Sequence, residues 1–282
     1  MHFFEKPNNF VQHVEIKVSN LARSLTYYQE TIGLFVIKTE GNFAYLGAKN
    51  SDTPLLILEE VENATARPHG TTGLYHFALL LPERKHLANI LRFFAERGVR
   101  LGASDHHVSE ALYLNDPDGN GIEIYVDRPE EQWQWNNDYV HMTTEPLNAQ
   151  DVMTAEDGTW DGMPEGTVMG HAHLNVASIA DSEKFYTEAL LFDVVTRYGP
   201  SALFISTGKY HHHIGLNTWQ SEGGSPAPAS SVGLIAISLQ LADEAQKATL
   251  LERLTAYGAP YTETTDGFDT QDPAGNTIRF RF

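Results

Sequence analysis

His76, Glu123, His171 and the run His211-His212-His213 are the side chains of this sequence whose types could hold a metal ion. Two histidines and one carboxylate, carried on separate strands of one concave sheet, make a facial triad. Such a triad leaves positions on a non-haem Fe(II) ion open for a substrate and dioxygen. No thiolate can join the set, because the chain of 282 residues contains no cysteine. That removes disulfides, iron–sulfur clusters, thiolate zinc sites and cysteine nucleophiles. Nitrogen and oxygen donors alone favour Fe(II), with Mn(II) as the alternative, over structural zinc. A lone histidine on a strand is more often a core or rim residue, and His13 is read that way. Glu123 is different: it lies in Ile122-Glu123-Ile124-Tyr125, an apolar strand in which an unpaired carboxylate is costly to bury.

An internal repeat must position these groups. Gln12-His13-Val14-Glu15-Ile16-Lys17-Val18 aligns with Gly170-His171-Ala172-His173-Leu174-Asn175-Val176, and at the same offset Tyr28 meets Tyr186. A second unit recurs as well. Gly73-Leu74-Tyr75-His76-Phe77-Ala78 aligns with Gly233-Leu234-Ile235-Ala236-Ile237-Ser238, and Asp116-Pro117-Asp118-Gly119-Asn120 aligns with Asp272-Pro273-Ala274-Gly275-Asn276. Each unit opens on an alternating apolar strand, such as His76 to Leu81. A helix follows: Leu21 to Ile32 behind a Ser19/Asn20 cap, or Lys85 to Arg97 closed by Gly98. Three short strands come next, separated by Gly or Asp-Pro-x-Gly turns. One such sheet buries a single face, so two units must pair to close a core. The expected class is therefore α+β, with four βαβββ modules forming two curved-sheet half-barrel pairs. Along the chain, residues 1–130 hold the first pair of modules, 131–167 a crossover without pattern, and 168–282 the second pair.

The repeat also shows where reactive groups are kept. The second module has His76 and Glu123, where the fourth has Ala236 and Arg279. The third has His171 and the histidine run, where the first has His13 and Thr53-Pro54-Leu55. Composition narrows the function classes further. With 19 Lys and Arg against 37 Asp and Glu, the formal net charge is −18. No basic run is present to meet a phosphate backbone, and the charge opposes docking on anionic membranes. No stretch approaches the roughly 20 apolar residues of a membrane helix, and Met-His-Phe-Phe-Glu-Lys-Pro lacks a signal-peptide core. A cytoplasmic enzyme is expected, with a homodimer favoured over a monomer.

The stretch His106-His107-Val108-Ser109-Glu110-Ala111-Leu112-Tyr113-Leu114-Asn115-Asp116-Pro117-Asp118-Gly119-Asn120-Gly121-Ile122-Glu123 resembles the signature of type I extradiol ring-cleaving dioxygenases. The whole chain apart from the crossover is similar to the vicinal oxygen chelate superfamily, and most of all to its bacterial catechol 2,3-dioxygenases. The resemblance implies Fe(II)-dependent opening of a catechol or hydroquinone-type ring, with a small aromatic diol and dioxygen as partners. It implies Glu123, His76 and His171 as metal ligands. His212 would be the acid/base histidine, and His106 and Tyr113 the pair that hydrogen-bonds substrate. In the usual members all ligands come from the last two modules. Here His76 and Glu123 precede His171, so modules two and three are expected to share the metal-bearing barrel and modules one and four to form the other. Strand alternation places His211 and His213 on one face and His212 on the opposite one, which leaves His213 as second choice for acid/base. His173 is expected as a pocket wall or spare ligand, and Phe77, Phe204 and Trp219 as aromatic walls. Two rivals share the fold. A glyoxalase-like isomerase or transferase would want a second carboxylate near Gly215, and a non-catalytic binding protein would not need Tyr113 and the histidines at these spacings.

Overall fold

The repeat dictates the element order. The computed structural model describes residues 2–282. Module one comprises β1 (Val11–Val18), α1 (Leu21–Tyr27), β2 (Phe35–Glu40), β3 (Phe43–Gly47) and β4 (Leu56–Glu60). Module two comprises β5 (Gly73–Leu80), α2 (Arg84–Glu96), β6 (Gly102–Asp105), β7 (Ser109–Asn115) and β8 (Gly121–Asp127). The crossover carries β9 (Trp135–Asn136), β10 (Tyr139–Val140), β11 (Glu145–Pro146) and α3 (Ala149–Met153). Module three comprises β12 (Val168–Asn175), α4 (Ile179–Lys184), β13 (Asp193–Tyr198), β14 (Ala202–Ser206) and β15 (Ile214–Asn217). Module four comprises β16 (Gly233–Gln240), α5 (Glu244–Tyr257), β17 (Tyr261–Thr264), β18 (Gly267–Gln271) and β19 (Thr277–Arg281). The class is α+β, as the four βαβββ modules require.

Local signals set the helix ends. Asn20 Oδ1 accepts the Arg23 N–H at the start of α1, which satisfies one of the donors a helix leaves open. The expected single helix to Ile32 is instead an α-helix followed by a wider π turn, Tyr28–Ile32. Module three repeats this turn at Phe185–Ala189.

The strands form two curved sheets. One runs β17-β18-β19-β16-β1-β4-β3-β2, and the other runs β11-β6-β7-β8-β5-β12-β15-β14-β13. Modules two and three thus share a sheet through the antiparallel pair β5–β12, and modules one and four through β1–β16. Counted along the chain the modules fall into a pair before residue 130 and a pair after 168, but the strands pair across that division. Neighbours in sequence are instead tied by a helix-to-turn lock. Tyr28 Oη donates to Asp116 Oδ2 at 2.9 Å, and Tyr186 Oη donates to Asp272 Oδ2 at 3.2 Å. The other oxygen of each aspartate accepts turn N–H groups, from Asp118 and Asn120 and from Ala274 and Asn276. The recurrence of Asp-Pro-x-Gly-Asn is explained by this double duty. Tyr28→Phe is expected to cost on the order of 1.5–3 kcal/mol, because it removes a buried hydrogen bond to a charged partner. Urea titration should show the lower midpoint with metal content unchanged.

Alternation along β5 sorts its residues. Phe77 points into the core shared with Leu87, Ile90 and Phe94 of α2 and lines no cavity, which corrects its expected place in a pocket wall. The crossover is also more ordered than its composition suggests. Strands of two residues give no readable period, yet β11 extends the edge of β6 and α3 packs on α2. Among the described residues no helix is long and apolar enough to cross a membrane.

Candidate active site

Strand register brings the reactive residues of modules two and three onto one face. Across the β5–β12 seam His173 lies opposite His76 and His171 opposite Ala78. The parallel pair β5–β8 sets Ala78 beside Glu123, and β7–β8 sets Tyr113 opposite Glu123. A register shift between Met169 and His171 offsets β12 by one residue at Gly170. A Cβ at Gly170 would collide with the Tyr125 hydroxyl, so glycine is required by close approach there.

His76, Glu123 and His171 converge. Glu123 Oε2 is 2.9 Å from His76 Nε2 and 3.1 Å from His171 Nε2. One nitrogen or oxygen of each lies within 4.8 Å of the others, and all three residues are buried. Burial pushes the Glu123 carboxyl up, but the His171 and His76 rings outweigh it and hold it well below the usual carboxylate range. Burial pushes the His171 imidazole down to about 4 against the pull of Glu123. An ionised carboxylate beside neutral imidazole is the protonation state metal binding requires. His76 Nε2, although close to the carboxylate, makes no aligned hydrogen bond to it. A buried ring nitrogen left this way is costly in a merely structural cluster; as a metal ligand it is satisfied. These residues therefore fit a divalent cation, and adding one should stabilise the fold. At a free concentration near 100 times its dissociation constant the gain is about 2.7 kcal/mol, or roughly 5–10 °C in Tm for a chain of this size. Differential scanning calorimetry with and without a chelator measures it.

The other expected residues surround this cluster. A cavity of about 670 Å³ opens above it, bordered by His106, Tyr113, His173, Phe204, His212 and Trp219 among others. His106 Nδ1 lies 2.6 Å from the Thr143 carbonyl and His106 Nε2 lies 2.6 Å from Tyr113 Oη. A carbonyl only accepts, so Nδ1 carries the proton and a neutral His106 takes the Tyr113 O–H at Nε2. Burial, reinforced by Glu123, raises the Tyr113 phenol well above its ordinary pKa, so it stays protonated.

His212 reaches the cavity, with its ring 4.1 Å from that of His171 and 4.9 Å from that of Phe204. His213 does not. Its Nε2 faces the Phe3 carbonyl at 3.2 Å and its Nδ1 the Thr207 N–H at 3.3 Å. Residues 207–213 precede β15 as a bent loop, with Gly208 and Lys209 at positive φ, so strand alternation does not govern which side each histidine takes. His173 forms a wall: its ring stands 5.0 Å from that of His76 and its Nε2 has no partner. Several cavity residues lacked any signal of their own in the sequence. Thr143, which orients His106, comes from the crossover, while Arg67, Tyr75 and Tyr198 line the cavity without belonging to any catalytic motif.

The other sheet shows what the repeat does without such a cluster. Arg279, at the position of Glu123, makes two bonds of 2.6 Å to Glu15, at the position of His173. A guanidinium–carboxylate pair fills the equivalent ground.

Comparisons with known proteins bear on the family and the fold. The sequence matches the Glyoxalase/Bleomycin resistance protein/Dioxygenase superfamily over residues 10–124 and 168–280. It is 41% identical over 276 residues to a protein named catechol-2,3-dioxygenase from Bacillus subtilis (strain 168), covering 96% of each chain. Among solved structures, the chain is similar in fold to a putative dioxygenase from Bacillus subtilis, with a TM-score of 0.70 at 14% identity over 98% of this chain and 86% of that one. It is also similar to glyoxalase I from Zea mays, with a TM-score of 0.59 at 14% identity over 97% of this chain and 92% of that one.

Proposed function

The chain belongs to the Glyoxalase/Bleomycin resistance protein/Dioxygenase superfamily, and from that membership we propose that it is an extradiol dioxygenase, opening a catechol or hydroquinone-type ring beside its oxygens. His76, Glu123 and His171 would hold Fe(II), with Mn(II) as the alternative. The observation that carries this reading is the joint presence, in one cavity, of that buried cluster, the His106–Tyr113 pair and His212. The 41% identity to a relative named catechol-2,3-dioxygenase supports it. When bound, the metal supplies Lewis acidity to the two adjacent oxygens of the diol and the redox partner that dioxygen requires.

The protein's own groups do the rest. Tyr75, Phe204 and Trp219 give the cavity aromatic walls suited to a flat ring, and its volume leaves room for a substituted catechol. Tyr113 donates its O–H hydrogen bond to His106, so its oxygen is left to accept a bond from a substrate hydroxyl and orient it. His212 would take a proton from the diol and return it to the product. The reading as a glyoxalase-like isomerase is less well supported. Gly215 has no side chain, and a Cβ there would lie 2.9 Å from the His173 ring, so a second carboxylate has no place beside the cluster.

Anaerobic reconstitution with Fe(II), followed by mixing with catechol and air, tests the proposal. Yellow ring-opened product should appear only with both iron and oxygen. Bound metal without colour from catechol or its methyl and chloro derivatives would contradict it.

A further inference from the structure

One chain of buried polar groups is left unused by this account. His211 is wholly buried. Its Nε2 lies 2.9 Å from Asp127 Oδ1, and its Nδ1 lies 2.8 Å from His212 Nδ1. Asp127 is held from a second side by Tyr210, whose hydroxyl lies 3.1 Å from Oδ2. The Tyr125 and Tyr210 hydroxyls lie 2.8 Å apart, and Gly170 leaves the space that the Tyr125 hydroxyl occupies. The arrangement is built, and it reaches the cavity only through His212.

With Asp127 ionised and His211 neutral, hydrogen-bond bookkeeping places the protons. An ionised carboxylate only accepts, so His211 Nε2 carries a proton and Nδ1 is left as acceptor. The short contact between the two Nδ1 atoms needs one proton, which then sits on His212. His212 Nε2 is then the proton-free nitrogen, and no described residue hydrogen-bonds it. In the first module the matching positions are Thr53 and Pro54, so this chain exists only beside the metal-type cluster.

We propose that Asp127 and His211 are positioning residues that hold His212 as its Nδ1-protonated tautomer, presenting Nε2 to the cavity as a proton acceptor. This deepens the dioxygenase reading and rests on it for the role of His212. When a substrate O–H bond breaks and His212 Nε2–H forms, the Nδ1 proton can pass to His211 Nδ1. The positive charge then stands on His211, next to the Asp127 carboxylate, and reversal returns the proton to product. No electrons are transferred along this path. Without Asp127, no carboxylate would face the charge on the buried His211 ring.

The test uses the full chain labelled with nitrogen-15 in histidine and loaded with zinc as a diamagnetic stand-in. Ring nitrogen shifts should show His212 protonated at Nδ1 and bare at Nε2. Asp127→Asn can donate to His211 Nε2, which reverses both tautomers; the His212 Nε2 signal should become that of a protonated nitrogen. In the iron enzyme the same variant should lose at least about tenfold in kcat with metal content and KM kept, as a misoriented tautomer does in other acid–base histidines. His211→Asn keeps an acceptor at the Nδ1 position and should retain the wild-type His212 signal, whereas His211→Gln, which keeps only the distal donor, should not. A wild-type His212 protonated at Nε2, or Asp127→Asn with unchanged shifts and turnover, overturns the proposal. If the wild type opens no ring while the shifts appear as expected, the functional reading fails and the tautomer assignment stands.

Discussion

Glu123→Gln should yield a folded protein that no longer retains its metal. The change is isosteric, so packing among Ala78, Tyr113 and the two histidines is kept. It removes the one anionic donor of the cluster. Loss of an outer partner of a metal ligand already costs about 10–100-fold in affinity, so loss of the ligand itself should exceed roughly 100-fold. Activity should fall below detection at ordinary iron concentrations. Without metal, the variant should be less stable than the wild type, because the carboxylate that the His171 and His76 rings hold in its charged form has been taken away. Metal analysis after gel filtration, with melting curves of both metal-free proteins, separates the two effects. Wild-type iron content in the variant would move the metal site elsewhere.

His212→Phe should do the opposite, keeping metal and losing turnover. The ring is of similar size and sits against His171 and Phe204, so the pocket should keep its shape. What disappears is the nitrogen facing the cavity. General acid–base catalysis contributes typically 10²–10⁴-fold, and a drop of that order in kcat, with KM little changed, is the expected result. Steady-state oxygen uptake at saturating catechol measures it. Unchanged turnover with iron in place would pass the role to His173, a cavity-wall histidine outside the metal cluster whose Nε2 has no hydrogen-bond partner.

Much of this was legible in the sequence because the chain contains its own comparison. Setting His76 against Ala236 and Glu123 against Arg279 singled out the modules with ligand-type groups. The family resemblance, with its ligands falling on modules two and three, then implied the pairing of those modules, which the β5–β12 seam shows. Three things were not legible. The side of the sheet taken by His212 depends on loop geometry before β15, where no strand periodicity applies. The part of the crossover in the cavity wall, through Thr143, comes from strands too short to carry a pattern. Asp127 lies at the end of β8 like any terminal polar residue, and only the fold brings it to His211. In each case a contact between segments distant in sequence decided the outcome.

Mass analysis of the product formed from catechol under isotopically labelled dioxygen, by the iron-loaded protein, tests the account most directly. Both atoms of labelled oxygen should enter a single ring-opened semialdehyde acid, in the wild type and not in Glu123→Gln. Iron bound at full occupancy with catechol present and no oxygen consumed, or a product cleaved between the two hydroxyl-bearing carbons, would contradict it.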